Sequence, residues 1–163
     1  MRAMGLAVDM PTRGRPTVRV VVMDDPLGAS ATPALGDVTL FDLFDLTTAE
    51  DDWARIASHF FQAASARIST IAPDVVVVRR ADVYVRGRLG DGPRLRLVVE
   101  GAVAAAAASH VSTNTHLRPG TECGSRYGQD KAVMDADGLA LVTKKSHAEA
   151  AGAALSGLFG NRG

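Results

Sequence analysis

Four consecutive valines, Val75 to Val78, constrain this chain more than any other feature. A β-branched run without polar alternation suits a strand covered on both faces, as at the centre of a parallel sheet. Upstream of it Trp53, Ile56, Phe60, Ala64, Ile68 and Ile71 recur at three- and four-residue spacing. That spacing predicts an amphipathic helix over residues 49–71, ended by Pro73. Thr47 or Thr48 is the expected N-cap, with Glu50, Asp51 and Asp52 in a first turn where the helix dipole favours anions. A helix running into a buried strand is half of a βαβ crossover, which places the chain in the α/β class.

Three strands are expected before that helix. Residues 4–9 read as a short buried strand, and Pro11 to Gly14 as a turn. Thr17 to Met23 reads as a second strand, close enough for an antiparallel hairpin. Residues 27–36 form a loop, and Val38 to Leu46 alternates imperfectly, as a third strand near a sheet edge would. After the valines, residues 86–93 carry three glycines and a proline and read as loop. Pro93 can open a helix over Arg94–His110, whose Gly101-Ala102 and following alanines would let it lie close on a sheet. Val111 to Leu117 is a short strand, and Thr121 can cap a short helix entered by Glu122. Lys131–Val142 is a further helix, interrupted by Gly138. Ser146 caps the last helix, His147–Leu158, with Glu149 placed as its capping-box partner. No repeat is visible, and residues 1–163 read as a single domain.

The totals exclude several classes. Lys+Arg and Asp+Glu both number 18, so the chain has no general basic coat, although a local basic face remains open. Aromatic residues make up 5 %, too few for base-stacking platforms to dominate a nucleic-acid contact. The lone Cys123 allows neither an internal disulfide nor a cysteine-based zinc site, and with no obvious base beside it reads as a bystander thiol. No signal-type segment and no run of roughly 18 apolar residues is present, so a cytoplasmic, membrane-free setting is expected.

The order βββαβαβα resembles the RNase H-like superfamily. The second half is most similar to RuvC-type Holliday-junction resolvases, through Gly101-Ala102 with Ala104–Ala108, Pro119-Gly120-Thr121-Glu122, Asp130-Lys131-Ala132-Val133 and Ser146-His147-Ala148-Glu149-Ala150-Ala151. The resemblance implies a five-stranded mixed sheet with helices on both faces. It also implies nucleic acid, branched DNA included, as a partner, and a homodimer. The Trp53/Phe60/Phe61 surface could supply the dimer contact, although core packing explains those residues equally well.

Enzymes of that family hold two Mg²⁺ ions about 4 Å apart. Hard cations of this kind require converging carboxylates. The family takes one acid from strand one, one from the end of strand four and two from the last helix. Asp9 matches the first, or is a turn acid before Pro11. Arg79 or Arg80 falls at the second, where an arginine repels a cation; Asp82 is the nearest substitute, or a solvated loop acid. His147 matches the third. Ala150 falls at the fourth, with Glu149 about 100° away around the helix. The resemblance thus implies a catalytic set of Asp9, Asp82, His147 and Glu149, with Asp9 and His147 as metal ligands. Arg79, Arg80, Arg86, Arg88, Arg94 and Arg96 cluster around the loop after strand four, as a phosphate-binding lip or as arginine bias on an exposed loop. Asp135 and Asp137 are expected on an exposed helix face.

Two functional readings follow. One is a RuvC-like endonuclease, dependent on Mg²⁺ or Mn²⁺, with a remodelled site. The other is a non-cleaving RNase H-like module that binds nucleic acid or protein. A third, a structural or small-molecule role, stays open. Carboxylates converging near Asp9 favour the nuclease; a guanidinium in the metal position favours the binding module.

Overall fold

The computed structural model describes residues 1–12, 14–27, 34–82 and 90–160. Strands β1 (Arg2–Asp9), β2 (Thr17–Asp24) and β3 (Thr39–Thr47) are followed by α1 (Trp53–Ile71), β4 (Val75–Arg80), α2 (Asp91–His110) and β5 (Thr115–Pro119). Helices α3 (Gly120–Tyr127), α4 (Lys131–Val142) and α5 (Ala148–Gly160) complete the chain. The five strands form one mixed sheet in the order β3-β2-β1-β4-β5. β1 pairs antiparallel with β2 and parallel with β4. This is the α/β arrangement expected from the valine run, which pairs on one side with β1 and on the other with β5.

Strand parity sorts the core into two layers. Met4, Leu6, Val8, Val18, Val20, Val22, Val76 and Val78 face α1 and α2. Ala3, Ala7, Val21, Met23, Val75 and Val77 face α3, α4 and α5. The second face of β1 is built from small residues, Ala3, Gly5 and Ala7, and α5 lies directly on it. A Cβ on Gly5 would come within 2.0 Å of the Ala150 carbonyl oxygen. α5 is buried from Ala150 to Leu158, as an all-round apolar helix must be. Its other side meets α4 as closely, since a Cβ on Gly138 would lie 2.9 Å from the Ala151 Cβ. Gly138 is therefore a packing residue inside a continuous α4, where the sequence suggested an interruption.

The element boundaries differ from expectation for local reasons. α1 begins at Trp53 because Asp52 is the cap, its carboxylate accepting from Arg55 N–H. Thr48 instead accepts from Glu50 N–H in a turn ahead of the helix. Ala72, with φ of 49°, ends α1 before Pro73. β4 runs two residues past the valines, and α2 starts at Asp91, three residues earlier than expected. Gly101 has nothing near its missing side chain, so Val103, Ala106 and Ala107 carry the α2 contact instead. No helix of the described residues is long and apolar enough to cross a membrane.

Candidate functional site: a cleft closed by guanidinium groups

The parallel strands β1 and β4 end at the same edge of the sheet, and there a cleft of about 260 Å³ opens. Asp9, Arg19, Arg96, Lys145, Ser146 and Glu149 line it. Asp9 and Arg19 share the α5 face of the sheet, because both fall on the strand parity of Ala7. Register sets Arg19 beside Asp45 on β3 and diagonal to Asp9 on β1. Its guanidinium uses both neighbours, with Nη2 donating to Asp9 Oδ2 at 2.8 Å and Nη1 to Asp45 Oδ2 at 2.7 Å. Those carboxylates hold Arg19 above the usual arginine range against the opposing effect of burial.

Arg96 repeats the pattern from α2. Its Nε donates to Glu100 Oε1 at 2.8 Å, and its Nη2 lies 3.8 Å from Glu149 Oε2. Glu100 is buried, and the same oxygen also accepts from Ala81 N–H at 2.9 Å, immediately after β4. An acid from α2 therefore reaches the end of strand four, where the family pattern has its second acid and this sequence has arginines. Sequence reading missed Glu100. Its only signal is a lone acid in an apolar stretch with an arginine four residues before it.

His147 does not line the cleft. It lies in a 3₁₀ turn (Lys145–His147), not in the last helix, and is fully buried. Its Nε2 sits 2.8 Å from Asp45 Oδ1, and its Nδ1 is 3.1 Å from Ser146 Oγ. Ser146 is thus turned to His147 and does not cap α5. As a buried imidazole held against β3, His147 cannot serve as a ligand in the cleft. Burial pushes its pKa below 6.5, outweighing the pull of Asp45, while Lys144 lowers it further. The unfolded chain accordingly binds this proton more readily than the folded one. The contribution of neutral His147 is present above pH 6.5 and is lost as the pH falls through the lowered folded value. Thermal melts from pH 7.5 to pH 5 should show a falling Tm that is shallower in His147→Gln. Identical slopes would refute this. The lowered carboxyls of Asp24 and Asp82 act below about pH 4, outside that window.

The remaining expected residues separate. Asp82 accepts from Lys131 Nζ at 2.8 Å and from Gly120 N–H at 3.0 Å, which ties the end of β4 to α3 and α4 and keeps its pKa low. Arg79 turns the same way and is buried, with Nη1 and Nη2 donating to Asp135 at 3.2 and 3.3 Å. A buried guanidinium cannot reach an external phosphate, so Arg79 is no part of a lip. Asp135 and Asp137 are half-buried and engaged, Asp137 accepting from the Tyr127 hydroxyl at 2.8 Å. Arg80 and Arg94 are exposed, and Arg86 and Arg88 lie outside the described residues. On α1, Phe60 is core, which leaves Trp53 and Phe61 as the exposed aromatics of the suggested dimer surface.

A divalent pair would need three or four converging carboxylate oxygens. The cleft offers Asp9 and Glu149, and each faces a guanidinium. Among the described residues no group of three or more His, Cys, Asp or Glu side chains could hold a metal ion. The donor set does not fit a two-metal centre.

No protein-family model and no curated protein matches this sequence. Solved structures do match. Thermus thermophilus RuvC superposes with a TM-score of 0.68 at 14 % identity, over 99 % of this chain and 96 % of that one. RuvC of the same organism in complex with a Holliday junction substrate gives 0.64 at 14 % identity, over 99 % and 95 %. The yeast mitochondrial Holliday junction resolvase gives 0.50 at 10 % identity, over 98 % and 78 %. Sheet order, helix placement and full-length superposition together identify the chain's architecture as the RNase H-like fold in its RuvC form.

Proposed function

We propose that this chain is a nucleic-acid-binding module on a RuvC-type scaffold, in which arginine side chains neutralise the cleft acids that metal ions would neutralise in a nuclease. One observation carries the reading. Arg19 is bonded to Asp9, and Arg96 lies between Glu100 and Glu149. A guanidinium is a permanent cation with a fixed fork of donors, so it neutralises carboxylates without binding or activating water as a metal does. The hydrolytic reading keeps only Asp9 and Glu149 in the cleft and would have to expel both arginines.

Nucleic acid is favoured as the partner by two features. A solved RuvC of the same fold carries a Holliday junction. Arg19, Arg96, Lys145 and Ser146 line the cleft, and Arg80 and Arg94 are exposed at the same end of the sheet. Calorimetric titration with Mg²⁺ or Mn²⁺ up to several millimolar should give no binding heat, in the wild type and in Asp9→Asn alike. A fluorescein-labelled four-way junction should bind saturably at low salt without being cut, and weaken as salt rises. Lys145→Glu should loosen it roughly tenfold. Metal binding lost in Asp9→Asn, or metal-dependent cutting, would restore the nuclease reading; no junction binding at any salt would sink the nucleic-acid one.

A further inference from the structure

Each cleft arginine is held between an inner and an outer carboxylate of unequal burial. For Arg19 the inner partner is Asp45, 29 % exposed, and the outer is Asp9, 47 % exposed. For Arg96 the inner partner is Glu100, 2 % exposed, and the outer is Glu149, 49 % exposed. The inner acids fix the guanidinium positions from the protein side. The outer acids stand on the cleft wall, where solvent competes for them, and the Arg96–Glu149 separation of 3.8 Å is too long for a hydrogen bond. Lys145 and Ser146 share that wall. Arginine prefers oxyanions that it can grip through two donors, and phosphate offers that grip as well as carboxylate does.

We propose that Asp9 and Glu149 are internal competitors for a phosphate group: they occupy Arg19 and Arg96 in the free protein and are displaced when a phosphodiester enters the cleft. Asp45 and Glu100 keep the guanidinium groups in place during the exchange. The identity of the phosphate as a nucleic-acid backbone rests on the function proposed above; the competition itself rests on the two carboxylate–arginine–carboxylate trios. The sign is the reverse of a nuclease's. In a metal enzyme neutralising either acid removes a ligand, whereas here it frees a phosphate site.

The test compares wild type, Asp9→Asn, Glu149→Gln and the double variant, with Asp42→Asn as a control that removes one acid on the opposite face of the sheet, where its carboxylate accepts from Leu43 N–H. Anisotropy of the labelled junction and calorimetry with inorganic phosphate are read in parallel, with melting curves to confirm folding. Each outer-acid variant should bind the junction about fivefold more tightly than Asp42→Asn does, the effect of freeing one exposed ion pair. The double variant should gain more, also toward inorganic phosphate. Arg96→Gln combined with Glu149→Gln should lose the gain. Since Asp9 and Glu149 are half-exposed, either single variant suffices if the double does not fold. If the outer-acid variants bind junction and phosphate no better than Asp42→Asn, the competition is overturned, and the nucleic-acid reading stands wherever the wild type binds the junction. If no variant binds the junction while the double variant gains phosphate affinity, the competition stands and nucleic acid is the wrong source of the phosphate.

Discussion

Gly5→Ala should destabilise the protein by about 4 kcal/mol and lower its Tm by about 10 °C, as read by circular dichroism. The new methyl group would meet Ala150 O at 2.0 Å and Ala154 N at 2.5 Å, both of them backbone atoms that no rotamer change can move. α5 would have to lift off β1 as a body. The start of α5 carries Glu149, so the cleft wall would move with it. Gly101→Ala is the matched comparison on α2. Nothing lies within 4 Å of the added Cβ, and replacing a glycine inside a helix should stabilise by up to about 1 kcal/mol. A loss below about 1 kcal/mol in Gly5→Ala would mean that α5 does not seat on β1 this closely.

The second large effect is expected at Asp135. Removing its carboxylate strands the Arg79 guanidinium, whose side chain is 1 % exposed, without its counter-charge. Breaking one side of such a pair costs about 3 kcal/mol, most of it the penalty of an uncompensated buried cation. Asp135→Ala should show this in urea unfolding. Arg79→Met combined with Asp135→Ala should recover most of it, because an apolar side chain of similar length needs no partner. If the double variant is as unstable as the single, the loss comes from packing against Gly152, where a Cβ would lie 2.6 Å from Asp135 Oδ1.

The residues that carried the fold in the sequence were those whose physics is local. The valine run can only be buried on both faces, and Ile56, Phe60, Ala64 and Ile68 all fall in the core as their spacing predicts. The α1 cap was misplaced because Thr48 and Asp52 are both competent caps, and the choice depends on where β3 delivers the chain. The site was less legible because its contacts are long-range. Arg19 sits between two buried valines, yet only the register of three strands places it between Asp9 and Asp45. Glu100 could not be separated from an ordinary helix acid until α2 was laid beside the end of β4. His147 matched a ligand position by order alone. The 3₁₀ turn before α5 rotates it toward β3, a twist that no residue pattern announces.

The seat of α5 on β1 also has a consequence for biosynthesis. β1 leaves the ribosome well before its covering helix, Ala148–Gly160. The hairpin, β4 and the layer of α1 and α2 can assemble while the chain is still growing, since the buried residues of that face all precede His110. The opposite face of small residues must wait for α5. Until then the nascent chain is a one-sided sheet with an open apolar surface, the kind of partly covered species that chaperones bind. The cleft shares that delay, because Lys145, Ser146 and Glu149 arrive with the same segment. Binding competence therefore comes only after the sheet and its first helical layer have formed.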